Sequence, residues 1–124
     1  MGLRLPPELE RKVLELAGDT GRTPAPAADV SEKEFQADVF KLAKRLGWLV
    51  YHTYDSRKSV GGFPDLVLLR ERLIVVELKV KGRKPKPDQV EWLEAFRRAG
   101  VTAVVWEPAD WPAIEAVLRG GSGA

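Results

Sequence analysis

Apolar residues recur along the chain at two different spacings, and the spacing predicts where helices and strands lie. Segments in which large apolar side chains return every three or four residues predict amphipathic helices. Short runs rich in β-branched and aromatic residues predict strands. The helices are predicted over residues 31–47, 87–100 and 110–119. The strands are predicted over residues 48–54, 66–69, 73–80 and 101–106. This order predicts an α/β domain with a four-stranded mixed sheet flanked by helices.

Both ends of the chain differ from this body. Pro6 and Pro7 precede a short amphipathic stretch whose apolar side is Leu9, Val13 and Leu14. Residues 19–30 are rich in Gly, Pro and Ala and have almost no large apolar side chain, as expected of a linker. We therefore divide the chain into three parts. They are an N-terminal accessory helix and linker at 1–30, one α/β domain with a C-terminal helix at 31–119, and a flexible tail at 120–124.

Composition excludes several classes of protein. A length of 124 residues with 44% hydrophobic residues suits one compact domain. The absence of cysteine excludes a disulfide scaffold, a thiolate metal site and a cysteine nucleophile. The longest aliphatic runs, such as Leu73 to Val76, have four residues, so we expect no membrane span. Glu8 and Glu10 stand where a secretory signal would be apolar.

The positive charge is concentrated in one segment. The formal net charge is only +2, yet residues 79–87 contain five basic side chains and no acidic one. Clustered Lys and Arg beside Gly and Pro are typical of an exposed loop that contacts phosphates. A solvated loop with no ligand would have the same composition, and charge alone leaves both interpretations open.

Two carboxylates and a lysine lie at strand ends where such groups are costly. Asp65 precedes one predicted strand, and Glu77 and Lys79 end the next on the same face. A buried carboxylate needs a partner or a cation. Two such groups close together repel, and oxygen donors without cysteine favour Mg²⁺ or Mn²⁺.

The turn between these strands decides whether the carboxylates meet. A two-residue turn at Glu71-Arg72 would place Leu66 opposite Glu77 and turn Asp65 to the other face. A three-residue turn at residues 70–72 would pair Leu69 with Leu73 and Asp65 with Glu77, with Cβ atoms roughly 5 Å apart. A strand-end ion pair of Glu77 with Lys79 is the structural alternative to a metal site.

These residues resemble the VRR-NUC family of the PD-(D/E)XK nuclease superfamily. The matching positions are Glu34, Gly62-Phe63-Pro64-Asp65, Glu77-Leu78-Lys79 and Gln89. The resemblance covers residues 31–119 and implies a restriction-endonuclease-like αβββαβ core with metal-dependent DNA endonuclease activity. It also implies that single-domain members of this size are dimeric Holliday-junction resolvases, often from phages. The loop from Asp55 to Gly62 is shorter than in many relatives, which leaves junction specificity open.

The resemblance implies a role for each matching residue. Asp65, Glu77 and the main-chain carbonyl of Leu78 would bind Mg²⁺, for which Mn²⁺ would substitute. Lys79 would assist the attacking water. Glu34 would support the metal, and Gln89 would position the lysine or the substrate.

Other residues have competing interpretations. Glu34 follows Ser31 at capping-box spacing, and Gln89 lies in a first helical turn, so each could instead cap a helix. His52, the only histidine, is expected to pack or to form a hydrogen bond rather than to bind metal. Three tryptophans are expected in the core or at a protein interface; they are Trp92, Trp106 and Trp111.

The sequence thus predicts a Mg²⁺-dependent DNA endonuclease, with branched DNA as the expected substrate and a cytoplasmic homodimer as the expected form. The cytoplasm would be that of a bacterium or of a phage-infected host. DNA-backbone contacts are expected from Arg57, Lys58, Lys81, Arg83, Lys84 and Lys86. A non-catalytic DNA-binding or adaptor module is the main alternative, although it would have no need of Asp65, Glu77 and Lys79. A small interaction domain with a coincidental motif is the other.

Overall fold

A computed structural model of the chain describes residues 24–54 and 60–120. In chain order the elements are α1 Glu32–Arg45, β1 Leu49–His52, β2 Leu66–Leu69, β3 Leu73–Leu78, α2 Pro87–Arg98, β4 Thr102–Trp106, a 3₁₀ turn Pro108–Asp110, and α3 Trp111–Leu118. The predicted α/β class and element order of the domain are confirmed. The predicted N-terminal helix, Arg57 and Lys58 lie outside the described residues. No helix within these two ranges is long and apolar enough to cross a bilayer.

The four strands form one mixed sheet in the order β1-β2-β3-β4. The first three strands are antiparallel to their neighbours, whereas β3 and β4 are parallel. A parallel pair needs a crossover connection, and α2 provides it. The predicted mixed sheet is therefore confirmed.

The turn from β2 to β3 has three residues. Leu69 pairs with Leu73 and Leu66 with Val76, and the Arg70 N–H donates to the Arg72 carbonyl at 3.1 Å. The three-residue alternative is therefore confirmed. Continued by one pair, this register sets Asp65 opposite Glu77.

The two faces of the sheet are covered differently. On one face, side chains of β2 and β3 such as Leu68 and Val76 pack with α1 and α3 in the main core. That core includes Trp106 and Trp111, as expected from the sequence. On the other face a smaller cluster joins Val75 and Ala103 to Leu93 of α2. Because side chains alternate along a strand, Asp65 and Glu77 project from this second face.

Arg70 binds the ends of two helices at the turn between β2 and β3. Its Nη1 donates to the carbonyls of Leu46 at 2.8 Å and Leu118 at 3.2 Å. Its guanidinium pairs with Glu71 and lies 4.7 Å from the centroid of the Trp48 ring. The Leu46 carbonyl directly follows α1 and the Leu118 carbonyl lies in the last turn of α3, where helical partners are lacking. Arg70 therefore ties both helices to the sheet.

Candidate active site

A row of polar side chains lies at the end of β2 and β3 farthest from their turn. Asp65 Oδ2 accepts a hydrogen bond from the Leu78 N–H at 2.8 Å. Lys79 Nζ lies 3.2 Å from Glu77 Oε2. Glu77 is only 1% exposed and Lys79 only 8% exposed. The strand register therefore brings the buried carboxylate of Glu77 and the buried ammonium of Lys79 together with the half-buried carboxylate of Asp65.

One oxygen of this site has no hydrogen-bond partner within residues 24–54 and 60–120. Among the described residues, Glu77 Oε1 is the buried side-chain oxygen or nitrogen that makes no hydrogen bond. A buried acceptor left unpaired costs about 1–3 kcal/mol, and more when charged. Lys79 contacts the other oxygen, so the strand-end ion pair does not account for Oε1.

The pKa values of the two carboxyl groups also indicate that the site lacks a positive charge. Burial and the neighbouring Asp65 charge raise the pKa of Glu77 to about 7, against the lowering effect of Lys79. Burial also raises the pKa of Asp65 above its usual range, although the hydrogen bond from Leu78 opposes this. Both carboxylates are therefore held where a second positive charge would stabilise their ionised forms.

The donor set fits a hard divalent cation. Asp65, Glu77 and the carbonyl of Leu78 would supply oxygen ligands of the kind that Mg²⁺ and Mn²⁺ prefer. Within residues 24–54 and 60–120, no group of three or more acidic, histidine or cysteine side chains is suited to hold a metal. A bound Mg²⁺ would thus retain several waters, as it usually does in proteins.

The loop before Asp65 is fixed to α2 by a close approach. Gly62 has φ +89°, and a Cβ there would lie 2.7 Å from the main chain of Asp88. Phe63 packs edge-on against Trp92 and Phe96, with ring centroids 5.2 and 5.9 Å apart. The glycine and the aromatic residue therefore set the position from which Asp65 enters β2.

Neighbouring segments support this loop on both sides. The Trp92 Nε1–H donates to the Gly61 carbonyl at 3.2 Å. Thr53, which follows β1, donates from its N–H to the Asp65 carbonyl at 2.9 Å and from Oγ1 to the Pro64 carbonyl at 2.7 Å. Trp92 and Thr53 therefore support the loop from α2 and from the end of β1. The sequence analysis did not identify Thr53.

Glu34 lies in the cap of α1. Its Oε1 accepts from the Ser31 hydroxyl at 2.8 Å, while its N–H donates to Ser31 Oγ at 3.1 Å. Glu32, by contrast, raises the pKa of both Asp65 and Glu77 through its charge. The helix carboxylate whose charge acts on the candidate site is therefore Glu32, which sequence reasoning missed.

A periodic signal for Glu32 was present in the sequence. Glu32 precedes Phe35 by three residues and Val39 by seven, so it extends the apolar stripe of α1 that faces the sheet. Glu34 falls off that stripe.

Gln89 also takes its structural alternative. Its Oε1 accepts from the Lys86 N–H at 2.8 Å, which caps the first turn of α2. His52 forms a hydrogen bond, as expected: Gln36 Nε2 donates to its Nε2 at 2.6 Å. A role for Gln89 toward Lys79 or the substrate stays a prediction.

The basic loop leaves the sheet directly beside Lys79. Lys81 and Gly82 have φ of 56° and 72°, and the Arg83 N–H donates to the Val80 carbonyl at 3.1 Å. This tight turn is followed by exposed side chains from Arg83 to Lys86, apart from a half-buried Pro85. The loop therefore presents its cations to solvent next to the two carboxylates.

Comparison with known proteins gives consistent results. The family model described as VRR-NUC domain matches residues 8–109. A solved structure named "VRR_NUC domain protein" aligns with a TM-score of 0.61 at 23% identity, over 73% of this chain and 87% of that one. Another, named "VRR_NUC domain", has a TM-score of 0.56 at 27% identity, over 72% and 95%. No curated protein matches.

Proposed function

The chain belongs to the VRR-NUC family, and from this premise we propose that it is a divalent-metal-dependent endonuclease that hydrolyses DNA phosphodiester bonds. One observation carries the proposal: among the residues that the structure describes, the buried Glu77 Oε1 lacks a partner next to Asp65 and Lys79. A purely structural strand end would pair that oxygen or replace the glutamate by an apolar residue, because an unpaired buried carboxylate destabilises the fold.

Asp65, Glu77 and the carbonyl of Leu78 would hold the metal, with Glu32 adding negative charge nearby. When bound, Mg²⁺ would lower the pKa of a coordinated water and neutralise negative charge on the phosphate. The burial of Glu77 strengthens these electrostatic interactions, since little water screens them.

Lys79 would orient the reacting groups. An ammonium has three donors, and the one directed to Glu77 Oε2 leaves the others for a water or a phosphate oxygen. In the hydrolysis, the water oxygen forms a bond to phosphorus while one P–O ester bond breaks. Lys79 would stabilise the negative charge that develops on the phosphate oxygens.

Backbone binding would come from the loop beside the site. We propose that Arg83 and Lys84 contact phosphates without reading sequence, together with Lys81 and Lys86. Each phosphate contact on duplex DNA changes the slope of log affinity against log salt by about 0.9. The Arg83→Ala/Lys84→Ala variant should therefore flatten that slope by about two, whereas Lys41→Ala/Lys44→Ala on α1 should not. An unchanged slope in the loop variant would show that the loop is only a solvated connection.

Branched DNA in a cytoplasmic setting, cut by a homodimer, is the specific form of the activity that we propose. Arg57 and Lys58 would add to the DNA-binding surface. The decisive experiment compares labelled four-way junction, flap, single-stranded and linear duplex DNA, each with Mg²⁺, with Mn²⁺ and with EDTA. Metal-dependent cutting that favours a branched substrate supports the proposal. Binding without cutting in every condition would instead identify a non-catalytic DNA-binding module.

A further inference from the structure

Asp65 lies one residue before β2, at the point where the regular pairing of this strand with both of its neighbours ends. The last pairs are His52 with Leu66 and Leu66 with Val76. Pro64, the residue before Asp65, has no N–H and cannot continue a regular ladder of hydrogen bonds. The direction of the Asp65 side chain therefore depends on contacts beyond those of the sheet.

Thr53 holds the main chain on both sides of Asp65. Its Oγ1 donates to the Pro64 carbonyl at 2.7 Å, and its N–H donates to the Asp65 carbonyl at 2.9 Å. These two carbonyls belong to the two peptide units that flank the Cα atom of Asp65. Because each peptide unit is planar, holding both units restricts φ and ψ of Asp65 and hence the direction of its Cα–Cβ bond.

The carboxylate of Asp65 is held by a different strand. Its Oδ2 accepts the hydrogen bond from the Leu78 N–H at 2.8 Å. Leu78 is the last residue of β3, whereas Thr53 directly follows β1. Asp65 is thus fixed from both sides of β2, through its main chain by Thr53 and through its carboxylate by Leu78. The position of this carboxylate beside Glu77 depends on both contacts.

We propose that Thr53 is a positioning residue for the candidate site, which holds Asp65 in the orientation that binds the metal and does not itself bind it. The effect on the metal rests on the proposed function, whereas the effect on Asp65 does not. Residues that orient metal ligands change metal affinity or activity by about 10- to 100-fold when they are replaced. The Thr53 hydroxyl is the group to remove, because its loss leaves the main-chain bond to Asp65 in place.

The test compares Thr53→Val, which removes the hydroxyl and keeps the branched shape, with Thr53→Ser, which keeps the hydroxyl. Calorimetric titration with Mn²⁺ should show about 10-fold weaker binding to Thr53→Val and near wild-type binding to Thr53→Ser. In metal-free protein, hydrogen exchange of the Leu78 amide should be about 10-fold faster in Thr53→Val, relative to the other amides of β3. The reason is that a displaced Asp65 makes a weaker bond to this amide.

Thr102→Val is the matched control, since Thr102 is also half-buried but begins β4 at the end of the sheet away from the candidate site. Urea denaturation measures the loss of stability that a purely structural role of Thr53 would cause. A destabilised Thr53→Val protein with wild-type Mn²⁺ affinity and wild-type Leu78 exchange would overturn the proposal and leave the metal site intact. Equal losses of Mn²⁺ affinity in Thr53→Val and Thr53→Ser would also overturn it. Absence of Mn²⁺ binding by wild-type protein would overturn the metal site itself, a result that Leu78 exchange distinguishes because it needs no metal.

Discussion

The two ends of β2 and β3 each hold a charged side chain that is largely removed from water, and the two are treated in opposite ways. At the turn end, the Arg70 guanidinium has carbonyl, carboxylate and aromatic partners. At the other end, Glu77 has Lys79 on one oxygen and nothing on the other among the described residues. A charge with every partner present stabilises a fold, whereas a charge with a partner missing marks a place for a ligand.

The difference teaches how a small domain can keep its stability and its chemistry apart. Arg70 satisfies helix ends and fixes the turn that sets the register of β2 on β3. That register then brings Asp65 opposite Glu77 at the far end, where desolvation raises the pKa of both and the Asp65 charge raises that of Glu77 further. The contacts of Arg70 at the turn therefore help to fix the positions of Asp65 and Glu77 at the other end of the two strands.

The largest expected effect is the loss of DNA cleavage when Asp65 or Glu77 is replaced. Asp65→Ala or Glu77→Ala should lower the rate of Mg²⁺-dependent cleavage by at least about 10³-fold, or about 4 kcal/mol of barrier, because each removes a metal ligand. DNA binding should not fall, since a negative charge at the site disappears. Single-turnover cleavage and filter binding measure the two effects. Near wild-type cleavage by either variant would refute the metal assignment.

The register shows how far the sequence could predict this arrangement. All four residues of β2 are apolar, so a shift of one residue would have put no polar side chain into the core. The hydrophobic pattern therefore could not distinguish the two-residue turn from the three-residue turn. The contacts that accompany the three-residue turn join Arg70 to Leu46 and Leu118, which are distant in sequence. Element order, by contrast, follows from local periodicity and was predicted throughout the described domain.

The helix carboxylate shows a second limit. Capping-box spacing predicted a structural role for Glu34, whereas the family resemblance implied a metal-supporting role. In the structure, Glu34 forms the capping box with Ser31. The position of Glu32 relative to the site depends on how α1 packs across the sheet, which local rules do not specify. The stripe through Phe35 and Val39 nevertheless extends to Glu32, and the helical period was sufficient to find it.

The next largest effect is on stability as a function of pH. With a folded-state pKa near 7 and an ordinary value of 4.5, Glu77 binds more protons in the folded than in the unfolded state between these values. The free energy of unfolding should therefore fall as pH rises from about 4.5 to 7, by no more than about 3 kcal/mol. Urea titrations of metal-free protein across this range measure the slope.

Two comparisons test whether Glu77 causes this pH dependence of the free energy of unfolding. Glu77→Gln should remove most of it, leaving the smaller contribution of Asp65, whereas Glu94→Gln on the exposed side of α2 should leave it intact. Saturating Mg²⁺ should also flatten the slope above pH 5, since the metal replaces the proton. A wild-type slope in Glu77→Gln would show that the carboxyl is not the titrating group.

A smaller effect is expected at the satisfied end. Arg70→Met keeps an aliphatic stem but removes the donors, so the Leu46 carbonyl loses its charged partner and the Leu118 carbonyl keeps only the Trp48 Nε1–H. This should lower the free energy of unfolding by about 2 kcal/mol, measured by urea denaturation. Arg98→Met is the control, because Arg98 is 72% exposed and its pair with Glu94 is long, at 3.9 Å. Cleavage by folded Arg70→Met protein should stay close to wild type. If Arg70→Met costs no more than the control, the contrast between the two ends is wrong.

The smallest expected effects separate the two glutamates in the first turn of α1. Both carboxylates interact favourably with the positive end of the helix dipole. Replacing either by alanine therefore removes a stabilising interaction of similar size. Glu34→Ala also removes the side-chain half of the capping box and should lower the free energy of unfolding by about 1 kcal/mol, with cleavage unchanged at a temperature where the protein is folded. Glu32→Ala should slow cleavage about tenfold, or about 1.4 kcal/mol of barrier, because the proposed metal loses nearby negative charge. It should also lower the pKa of Glu77, since the Glu32 charge helps to raise it. Parallel urea denaturation and single-turnover cleavage of the two variants decide the assignment. Slow cleavage by Glu34→Ala, with normal cleavage by Glu32→Ala, would return the metal-supporting role to Glu34.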